Sequence, residues 1–473
     1  MEVERPVTWK KLAEYLANPD KFDCGIAISN SSVNRKSSED VQRYFCPPPR
    51  VNLFGDGWKK LFGNTEKTSK SAAGKPSSSR ASKKPRQPKL RFTIGIDELP
   101  SLEDHPLNLS SEKKQTVDNM LYVPDNAEKA NVSLKVNMFR RANEEAESFL
   151  SHPMKIIGKP SKKKKNRLAS EVGIRSGSTV ALYVAASDQA PAQYFQVENE
   201  GYQPSQDNWS SFFIYNVLEN GDLDKSLSKK KKNYINYGAI VKLVDRVTGT
   251  GLPKMRILHV ENGIVKLDQS EDQEMPVCQL DKCAFQVLDH PDNYLSIVSN
   301  KIIQAGATVV DESSLEIEDT AAWTIMPTDK TEYRFYEAMG PATGPVTPVP
   351  TIIDIKPNKH VETGNTMIEF IGADFHKDLT IWIGLYDLNQ HSQSSERITC
   401  FQPTLYAVSS PPESDMFPVA DDEVSLPITI TRNDGVVYGT PYYFQYNIKD
   451  GRGWPAVVDP RTEFANSKRL RRL

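Results

Sequence analysis

The feature that most restricts the fold of this chain is a run of three prolines at residues 47–49. Each proline fixes its φ at about −65° and keeps the preceding residue extended, so the chain leaves Phe45 along a defined line. The flanking residues 43–45 and 51–54 favour β-strands, and glycines 55 and 57 favour a turn after them. We therefore predict a stiffened β-hairpin that carries Arg43.

Arg43 is a candidate DNA contact. Two parallel N–H donors of a guanidinium match the O6 and N7 acceptors that guanine presents in the major groove. An arginine on a rigid hairpin could reach such a base edge. The simpler interpretation is an ordinary surface arginine on an edge strand, and residue type alone favours it.

Length and charge set only broad limits. The 473 residues suffice for roughly two to four domains, each with its own core. The net charge of −2 conceals lysine runs at 162–165 and 229–232 and acidic clusters at 311–319 and 421–423. Whole-chain charge therefore argues neither for nor against nucleic acid, and local patches must decide.

Several classes of protein are disfavoured. The five cysteines are scattered, and no signal peptide is recognised, which indicates a reduced intracellular protein. Cys278 and Cys283 lack the spacing and the second pair of a zinc site, so we expect no metal and no cofactor. No apolar run approaches the ~20 residues that span a bilayer. Motifs of nucleotide loops, metalloproteases and serine hydrolases are missing, so binding is a better hypothesis than catalysis.

The middle of the chain reads as a series of short strands separated by Gly, Asn, Asp and Lys turns. Even spacing without intervening helices favours a closed or sandwiched all-β domain, but it does not choose between a barrel and a trefoil. The predicted strands are 180–184, 212–218, 240–244, 255–260, 264–267, 284–288 and 295–298.

The two ends of the chain contain other elements. Trp9, Leu12 and Leu16 fall at helical spacing and predict a short amphipathic helix. Residues 64–89 have too few apolar groups to offset the entropy of ordering, which predicts a disordered insertion. The longest strand candidate is 323–339, followed by a stiff proline-rich connector.

A set of sequence blocks, taken together, resembles the CSL family, the Suppressor of Hairless or recombination-signal-binding transcription factors. These blocks occur in family order: RYFCPPP at 43–49, GDGWKK at 55–60, KPSKKK at 159–164, VKLVDRVTGTGLP at 241–253, QLDKCAF at 279–285, IIQ at 302–304, WTIMPTDKTEYRFYEAMGP at 323–341, PVTPVP at 345–350 and RNDG at 432–435.

The resemblance implies a mainly β protein of three domains. Residues 1–152 would form a Rel-like immunoglobulin sandwich that binds DNA, and 153–335 a β-trefoil with the start of a connecting strand. Residues 336–448 would form a second, smaller immunoglobulin-like sandwich of the IPT/TIG type, and 449–473 a flexible basic tail. In the family, the long strand runs across the domains.

The resemblance also implies a DNA site of the GTGGGAA type, read in the major groove by the first sandwich. Arg43 would make the principal base contact. The other implied contacts are Arg35, Lys36 and Lys59 as flanking phosphate contacts, Lys129 in Glu128-Lys129-Ala130, Lys159 and Lys162 near the backbone, and Gln189 on a trefoil hairpin. That hairpin, Ala185 to Gln189, lacks the family's arginines and has Asp188, so we expect its minor-groove contact to be lost or displaced.

Protein partners are implied at the trefoil. The family's apolar pocket for the Notch intracellular domain matches here at Lys242, Gly251 and Gln304, but Ser228 and Lys230 replace its apolar pair. Burying a peptide against an ammonium would forfeit apolar area and desolvate a charge, so we expect impaired Notch binding. A Mastermind-type coactivator and corepressors are further implied partners of a nuclear protein that binds double-stranded DNA as a monomer.

Two functions stay open. One is a nuclear, sequence-specific transcriptional regulator, favoured by Arg43, Lys36 and Lys159. The other is a derived protein-interaction scaffold with weak or lost DNA and Notch binding, favoured by Asp188, Ala130 and Lys230. Carbohydrate binding by the trefoil has only fold analogy behind it.

Overall fold

The structure is a computed structural model, and the description covers most of the chain. It describes residues 5–39, 41–70, 90–140, 145–158, 172–185, 192–198, 201–224, 233–267, 275–359, 366–411, 416–417, 419–420, 422 and 423–457, with the backbone alone for 64–70 and 457.

The first domain is a β-sandwich with a helical start. Thr8 caps the first helix through its hydroxyl, which accepts the Lys11 N–H, and the helix buries Leu12 and Tyr15. Its elements are α1 Trp9–Ala17, α2 Pro19–Phe22, β1 Cys24–Ser31, β2 Val33–Arg35, β3 Arg50–Phe54, α3 Gly57–Lys70, β4 Arg91–Ile96, β5 His105–Leu107, β6 Gln115–Val117, β7 Asn131–Val132, β8 Leu134–Phe139, β9 Glu147–Leu150 and β10 Met154–Ile157.

Three sheets make up this domain. Strand β3 lies between β1 and β6, a second sheet has the order β5-β4-β8-β9, and a small sheet has the order β2-β10-β7. An aromatic core joins the layers, because Trp58 packs edge-on against Phe92 and Phe335. Because β10 pairs in parallel with β2, the first domain continues past the boundary predicted at residue 152.

The second domain contains the series of short strands predicted from the sequence, built around Trp323. The buried indole donates its N–H to the Leu295 carbonyl at 2.7 Å. Its elements are β11 Ser178–Val184, β12 Gln193–Glu198, β13 Gly201–Ser205, β14 Phe212–Asn216, β15 Ile240–Asp245, β16 Met255–Glu261, β17 Ile264–Lys266, β18 Lys282–Val287, β19 His290–Val298, β20 Lys301–Gly306, β21 Thr308–Asp311, β22 Ser314–Glu316 and a 3₁₀ turn Asp319–Ala321.

The next strand, β23 Thr324–Glu337, connects all three domains. It pairs with β11 of the second domain, then with the whole of β1, and its last residues pair with the third domain. Phe335 and Tyr333 face Phe149, whereas Tyr336 stacks on Tyr15 on the opposite face. The predicted long shared strand is confirmed, and its side chains alternate between two faces.

The third domain is a second, smaller sandwich. Its sheets are β24-β25-β29-β28 and a layer in which β31 lies between β26 and β32. Its elements are β24 Thr351–Lys359, β25 Thr366–Ala373, β26 Leu379–Ile383, β27 Tyr386–Asp387, β28 Gln390–Gln393, β29 Arg397–Phe401, α4 Leu405–Ser409, β30 Val419–Ala420, β31 Glu423–Arg432, β32 Val436–Asn447 and β33 Gly453–Val457.

The structure differs from the sequence predictions at two segments, one inside the first domain and one at the end of the third. Helix α3 continues through 64–70, where the disordered insertion was predicted to begin, and 71–89 lie outside the described residues. Strand β33 pairs with β32 from Tyr446↔Gly453 to Tyr442↔Val457, so the third domain continues past the boundary predicted at 448. Residues 453–457 of the predicted tail are ordered because they form hydrogen bonds along the edge of β32.

The predicted hairpin around the prolines is wrong. Residues 43–45 do not pair with β3; instead Tyr44 forms an isolated bridge with Tyr122. Pro47, Pro48 and Pro49 are buried, and the Pro48 carbonyl and Cys46 Sγ each accept a hydrogen bond from the second domain. A proline cannot donate to a β-ladder, so this run connects two sheets and does not extend one.

Two further properties concern membranes and metals. No helix in the described ranges is long and apolar enough to cross a bilayer. Within the same ranges, no group of three or more His, Cys, Asp or Glu side chains converges as a metal site would require.

Candidate nucleic-acid interface

Arg43 lies in a braced loop of the first domain. Its backbone N–H donates to the Ser37 hydroxyl at 3.0 Å, and the Ser37 N–H donates to the Val123 carbonyl at 2.8 Å. The Phe45 N–H donates to the Leu121 carbonyl at 2.9 Å. The Arg43 backbone is therefore fixed from both sides although no hairpin forms.

Tyr44 is the exposed aromatic side chain beside Arg43. It is 41% exposed, and its ring packs edge-on against Tyr122 with centroids 6.1 Å apart. Phe45 is buried, while Arg43 is half-buried. The alternation along this extended segment thus turns the Tyr44 side chain outward. The sequence-based predictions named basic residues as DNA contacts and did not include Tyr44.

Asp118 holds the segment that faces the Arg43 loop. One carboxylate oxygen accepts the backbone N–H groups of Met120 and Leu121, each at 2.9 Å, and the other lies 2.9 Å from His105 Nδ1. The Asp118 N–H donates to the Pro49 carbonyl at 2.9 Å. Asp118 therefore connects the proline run to the segment that supports Tyr44.

Several of the predicted cations lie at one end of the β2-β10-β7 sheet. Arg35 ends β2 and pairs with Ile157 at the end of β10. Lys129 is exposed and directly precedes Ala130, whose carbonyl accepts the Ile156 N–H at 2.8 Å. Because β7 runs antiparallel to β10, Arg35 and Lys129 lie at the same end, next to Lys36 and the Ser37 that holds Arg43.

Lys36 is already paired within the protein. Its ammonium donates to the Asp125 carbonyl at 2.7 Å and lies 3.6 Å from the Asp125 carboxylate. The exposed Glu128 beside Lys129 adds another negative charge. Attraction of this end for phosphate is therefore weaker than the count of lysines and arginines suggests.

Lys59 is not part of this cluster. It lies on α3 after Phe54, which pairs with Gly25 at the start of β1, whereas β2 begins beyond the other end of β1. The length of β1 separates the two places by roughly 20 Å. The Lys59 ammonium also pairs with Asp56 at 2.8 Å.

The other residues predicted from the sequence lie outside the described residues: Lys159, Lys162, Gln189, Ser228 and Lys230, together with Asp188. Val184, at the end of β11, pairs with Gln193 at the start of β12. These two residues flank the segment that contains the predicted trefoil hairpin.

Two of the three predicted partner-binding residues lie next to each other in the structure. Gly251 forms a bridge with Val244, and a Cβ added to Gly251 would lie 2.7 Å from the Lys242 Cε. Lys242 and Gly251 are therefore in contact. Gln304 is exposed on β20, opposite Leu295, and within the described residues no hydrogen bond or strand pairing joins it to the other two.

The proline run and Arg50 form a joint between the first and second domains. The Arg50 guanidinium donates to the Trp209 carbonyl at 2.6 Å and lies 4.5 Å from the Trp209 ring centroid. The Trp209 indole donates to the Pro48 carbonyl at 2.9 Å, and the Tyr194 hydroxyl donates to Cys46 Sγ at 3.3 Å. Sequence analysis did not single out Arg50 or Trp209.

Three family models match the chain in order. A model described as LAG1, DNA binding, matches residues 26–171, the Beta-trefoil DNA-binding domain matches 198–323, and a TIG domain matches 349–446. These segments correspond to the three domains of the structure. The open choice between barrel and trefoil for the second domain is thus decided in favour of the trefoil.

Curated relatives agree with these models. The human protein named "Recombining binding protein suppressor of hairless-like protein" is 27% identical over 456 residues, which cover 93% of this chain and 82% of the human protein. The mouse protein of the same name is 28% identical over 433 residues, 89% of this chain and 79% of the mouse protein. This chain is a divergent member of the CSL family.

The CSL assignment places the chain in a family of DNA-binding transcription factors. Another relative, "Transcription factor cbf11" of Schizosaccharomyces pombe, is 24% identical over 400 residues, 76% of this chain and 60% of that protein. Among solved structures, the extracellular region of plexin A4 aligns with a TM-score of 0.14 at 9% identity over 90% of this chain and 28% of plexin, which is too low to carry an argument.

Proposed function

We propose that this CSL protein is a sequence-specific, DNA-binding transcriptional regulator and not an enzyme. In this proposal it acts in the nucleus, as a monomer on double-stranded DNA with a GTGGGAA-like sequence. Arg43 donates two hydrogen bonds to a guanine in the major groove, and Arg35 and Lys129 contact phosphates beside it.

The observation that carries the proposal is the bracing of Arg43 inside the segment that matches the LAG1 DNA-binding model. The Ser37 hydroxyl and the Leu121 carbonyl fix the backbone on both sides of Arg43. A fixed backbone lowers the entropy lost when a long side chain is ordered on a base edge. Phosphate attraction contributes less, because Lys36 is paired with Asp125.

Recruitment of other proteins belongs to the same proposal. Corepressors and a Mastermind-type coactivator would bind the trefoil and the third domain. The contact between Lys242 and Gly251 supports a retained part of the peptide site, whereas Ser228 and Lys230 argue for weak binding of the Notch intracellular domain. A Notch-derived peptide should then bind the Lys230→Val variant more tightly than the unaltered chain. Equal binding would contradict this account of the pocket.

The test of DNA recognition is a binding series with the unaltered chain, Arg43→Ala and Arg43→Lys. A GTGGGAA duplex and a shuffled duplex are each titrated at two salt concentrations, with Lys59→Ala as the matched control away from the cluster. Loss of one bidentate contact should cost about 1–3 kcal/mol on the GTGGGAA duplex, and little on the shuffled one. Arg43→Lys should recover only part of the loss, because an ammonium cannot donate bidentately.

A second function, a protein-interaction scaffold with little DNA binding, is favoured by the Lys36–Asp125 pair and by Glu128 beside Lys129. The same series separates the two functions. A regulator binds the GTGGGAA duplex preferentially and with a marked dependence on salt, whereas a scaffold shows neither.

A further inference from the structure

We propose that Arg50 is a positioning residue whose contact with Trp209 fixes the angle between the first sandwich and the trefoil, so that both bind one duplex as a single rigid unit. The inference rests on the proposed DNA-binding function. It concerns the two segments that match DNA-binding family models, because Arg50 lies in one and Trp209 in the other.

The joint is closed by contacts that run in both directions. Arg50 extends from β3 and donates to the Trp209 carbonyl at 2.6 Å while its guanidinium lies over the indole. In the opposite direction, the Trp209 indole N–H of the trefoil donates to the Pro48 carbonyl of the sandwich at 2.9 Å. Because both bonds are directional and the stack fixes the ring plane, rotation about the joint would break all three contacts.

Both sides of the joint are rigid in themselves. On the sandwich side, Arg50 pairs with Ser29 of β1 and Val117 of β6, and the buried prolines before it have fixed φ angles. On the trefoil side, the Ser205 hydroxyl accepts the Asn208 N–H at 3.0 Å, and the Asn208 side chain accepts the Trp209 N–H at 3.0 Å. Movement of one domain is therefore transmitted to the other.

The chemistry of the joint favours one geometry more than it favours overall stability. Burial lowers the pKa of Arg50 to about 10, which leaves it charged at neutral pH, and the buried carboxylate of Asp245 stabilises that charge. The cost of removing a charged group from water offsets much of the favourable energy of its contacts. Such contacts therefore add little to the net stability and more to the selection of one conformation.

The joint also lies between the Arg43 loop and the paired ends of β11 and β12. Tyr194, on β12 next to the predicted trefoil hairpin, bonds to Cys46, three residues after Arg43. Tyr183 and Tyr194 pair across the base of that hairpin. A fixed joint therefore sets how far the paired residues Val184 and Gln193 lie from Arg43, whereas a loose joint must be ordered again on every binding event.

The test uses the full chain and its Arg50→Met, Arg50→Lys and Trp209→Phe variants. Arg397→Met, which removes an exposed arginine paired with Glu369 in the third domain, is the matched control. Affinity for the GTGGGAA duplex is measured over a range of salt concentrations, and hydrogen exchange reports on the backbone at 43–54 and 205–216.

We expect Arg50→Met to weaken specific binding about tenfold, with the slope of affinity against salt unchanged and faster exchange on both sides of the joint. Arg50→Lys and Trp209→Phe should fall between that variant and the unaltered chain, and Arg397→Met should match the unaltered chain. Trp209→Phe keeps most of the packing, so it tests the joint even if Arg50→Met folds poorly.

Three results would overturn the inference. Tight binding by a variant whose joint exchanges faster would show that rigidity is not needed. Unchanged exchange in all variants would show that the contact does not fix the joint. A salt slope reduced by about one would identify Arg50 as a direct phosphate contact instead. If the unaltered chain does not prefer the GTGGGAA duplex, the proposed function itself fails.

Discussion

The Tyr15 hydroxyl donates a 2.9 Å hydrogen bond to the carboxylate of Asp23, a side chain with no exposed surface. The other Asp23 oxygen lies 3.4 Å from the Arg334 guanidinium, which belongs to the shared strand β23. This contact joins the helical start of the chain to the strand that connects the domains. Burial is the largest influence on the carboxyl group and raises the pKa of Asp23 to about 6, although Tyr15 and Arg334 act in the opposite direction.

The raised pKa predicts a specific dependence of stability on pH. Between about pH 4 and pH 6, folded Asp23 holds a proton that the unfolded chain has released, so the free energy of unfolding falls as pH rises through this window. The total effect is of order 1–3 kcal/mol. Urea denaturation of the unaltered chain and Asp23→Asn at several pH values should show the variant losing less stability across the window. Parallel curves would contradict the assignment.

Trp58 should be among the most sensitive positions of the first domain. It has no exposed surface, donates its indole N–H to the Gly25 carbonyl at 2.9 Å and packs edge-on against Phe92 and Phe335. We expect Trp58→Ala to reduce the free energy of unfolding by about 3–5 kcal/mol.

The matched control for Trp58 is Trp454→Ala. This indole, on the edge strand β33, is 36% exposed and donates its N–H to the Gln445 side chain of β32. The change should reduce the unfolding free energy by no more than about 1 kcal/mol in the same denaturation experiment. Comparable losses at the two tryptophans would contradict the core assignment.

The strand pattern and the length of β23 could be predicted because they depend on local alternation, whereas the sharing of β23 between domains was implied by the family resemblance. Phe335 is buried and the adjacent Arg334 is half-buried, which is the alternation of a strand whose two faces have different environments. The family blocks supplied the order of the domains. Neither the local pattern nor the family blocks required knowing which surfaces of the three domains contact each other.

The joint could not be predicted, because it depends on contacts between distant segments. The prolines at 47–49 fix φ, but their sequence does not reveal that they are buried or that Trp209 bonds to Pro48. Arg50 at a strand end has the pattern of a surface residue. One usable signal was present: Trp209 is a large aromatic residue within the polar stretch SQDNW at 205–209, and such residues are usually buried against something.

Two glycines should respond differently to the same substitution. A Cβ at Gly372 would overlap the Thr351 carbonyl, which is fixed in the β24-β25 ladder. A Cβ at Gly251 would come closest to the flexible end of Lys242, at 2.7 Å, and would lie 3.8 Å from the Leu243 carbonyl, an ordinary contact. Gly372→Ala should therefore cost about 1–3 kcal/mol and Gly251→Ala clearly less, measured by thermal and chemical denaturation. Equal costs would mean that Lys242 cannot move aside.

Neutralising Asp125 should strengthen DNA binding. The Lys36 ammonium lies 3.6 Å from the Asp125 carboxylate, and both side chains are partly exposed. Asp125→Asn removes the competing anion while the Asp125 carbonyl still accepts a hydrogen bond from Lys36 at 2.7 Å. Affinity for both the GTGGGAA and the shuffled duplex should rise at low salt, and the salt slope should steepen by up to about one phosphate contact. Stability should change by less than about 1 kcal/mol, because exposed pairs contribute little.

The control for Asp125→Asn is Asp450→Asn, which changes the net charge equally but lies beside Arg452 in the third domain. A general effect of net charge would raise DNA affinity in both variants alike. A rise confined to Asp125→Asn would locate the phosphate-binding surface at the end of the β2-β10-β7 sheet, because only there does the freed ammonium lie beside the Arg43 loop. No rise in either variant would favour the scaffold over the regulator, since removal of a negative charge from a true DNA surface must increase affinity at low salt.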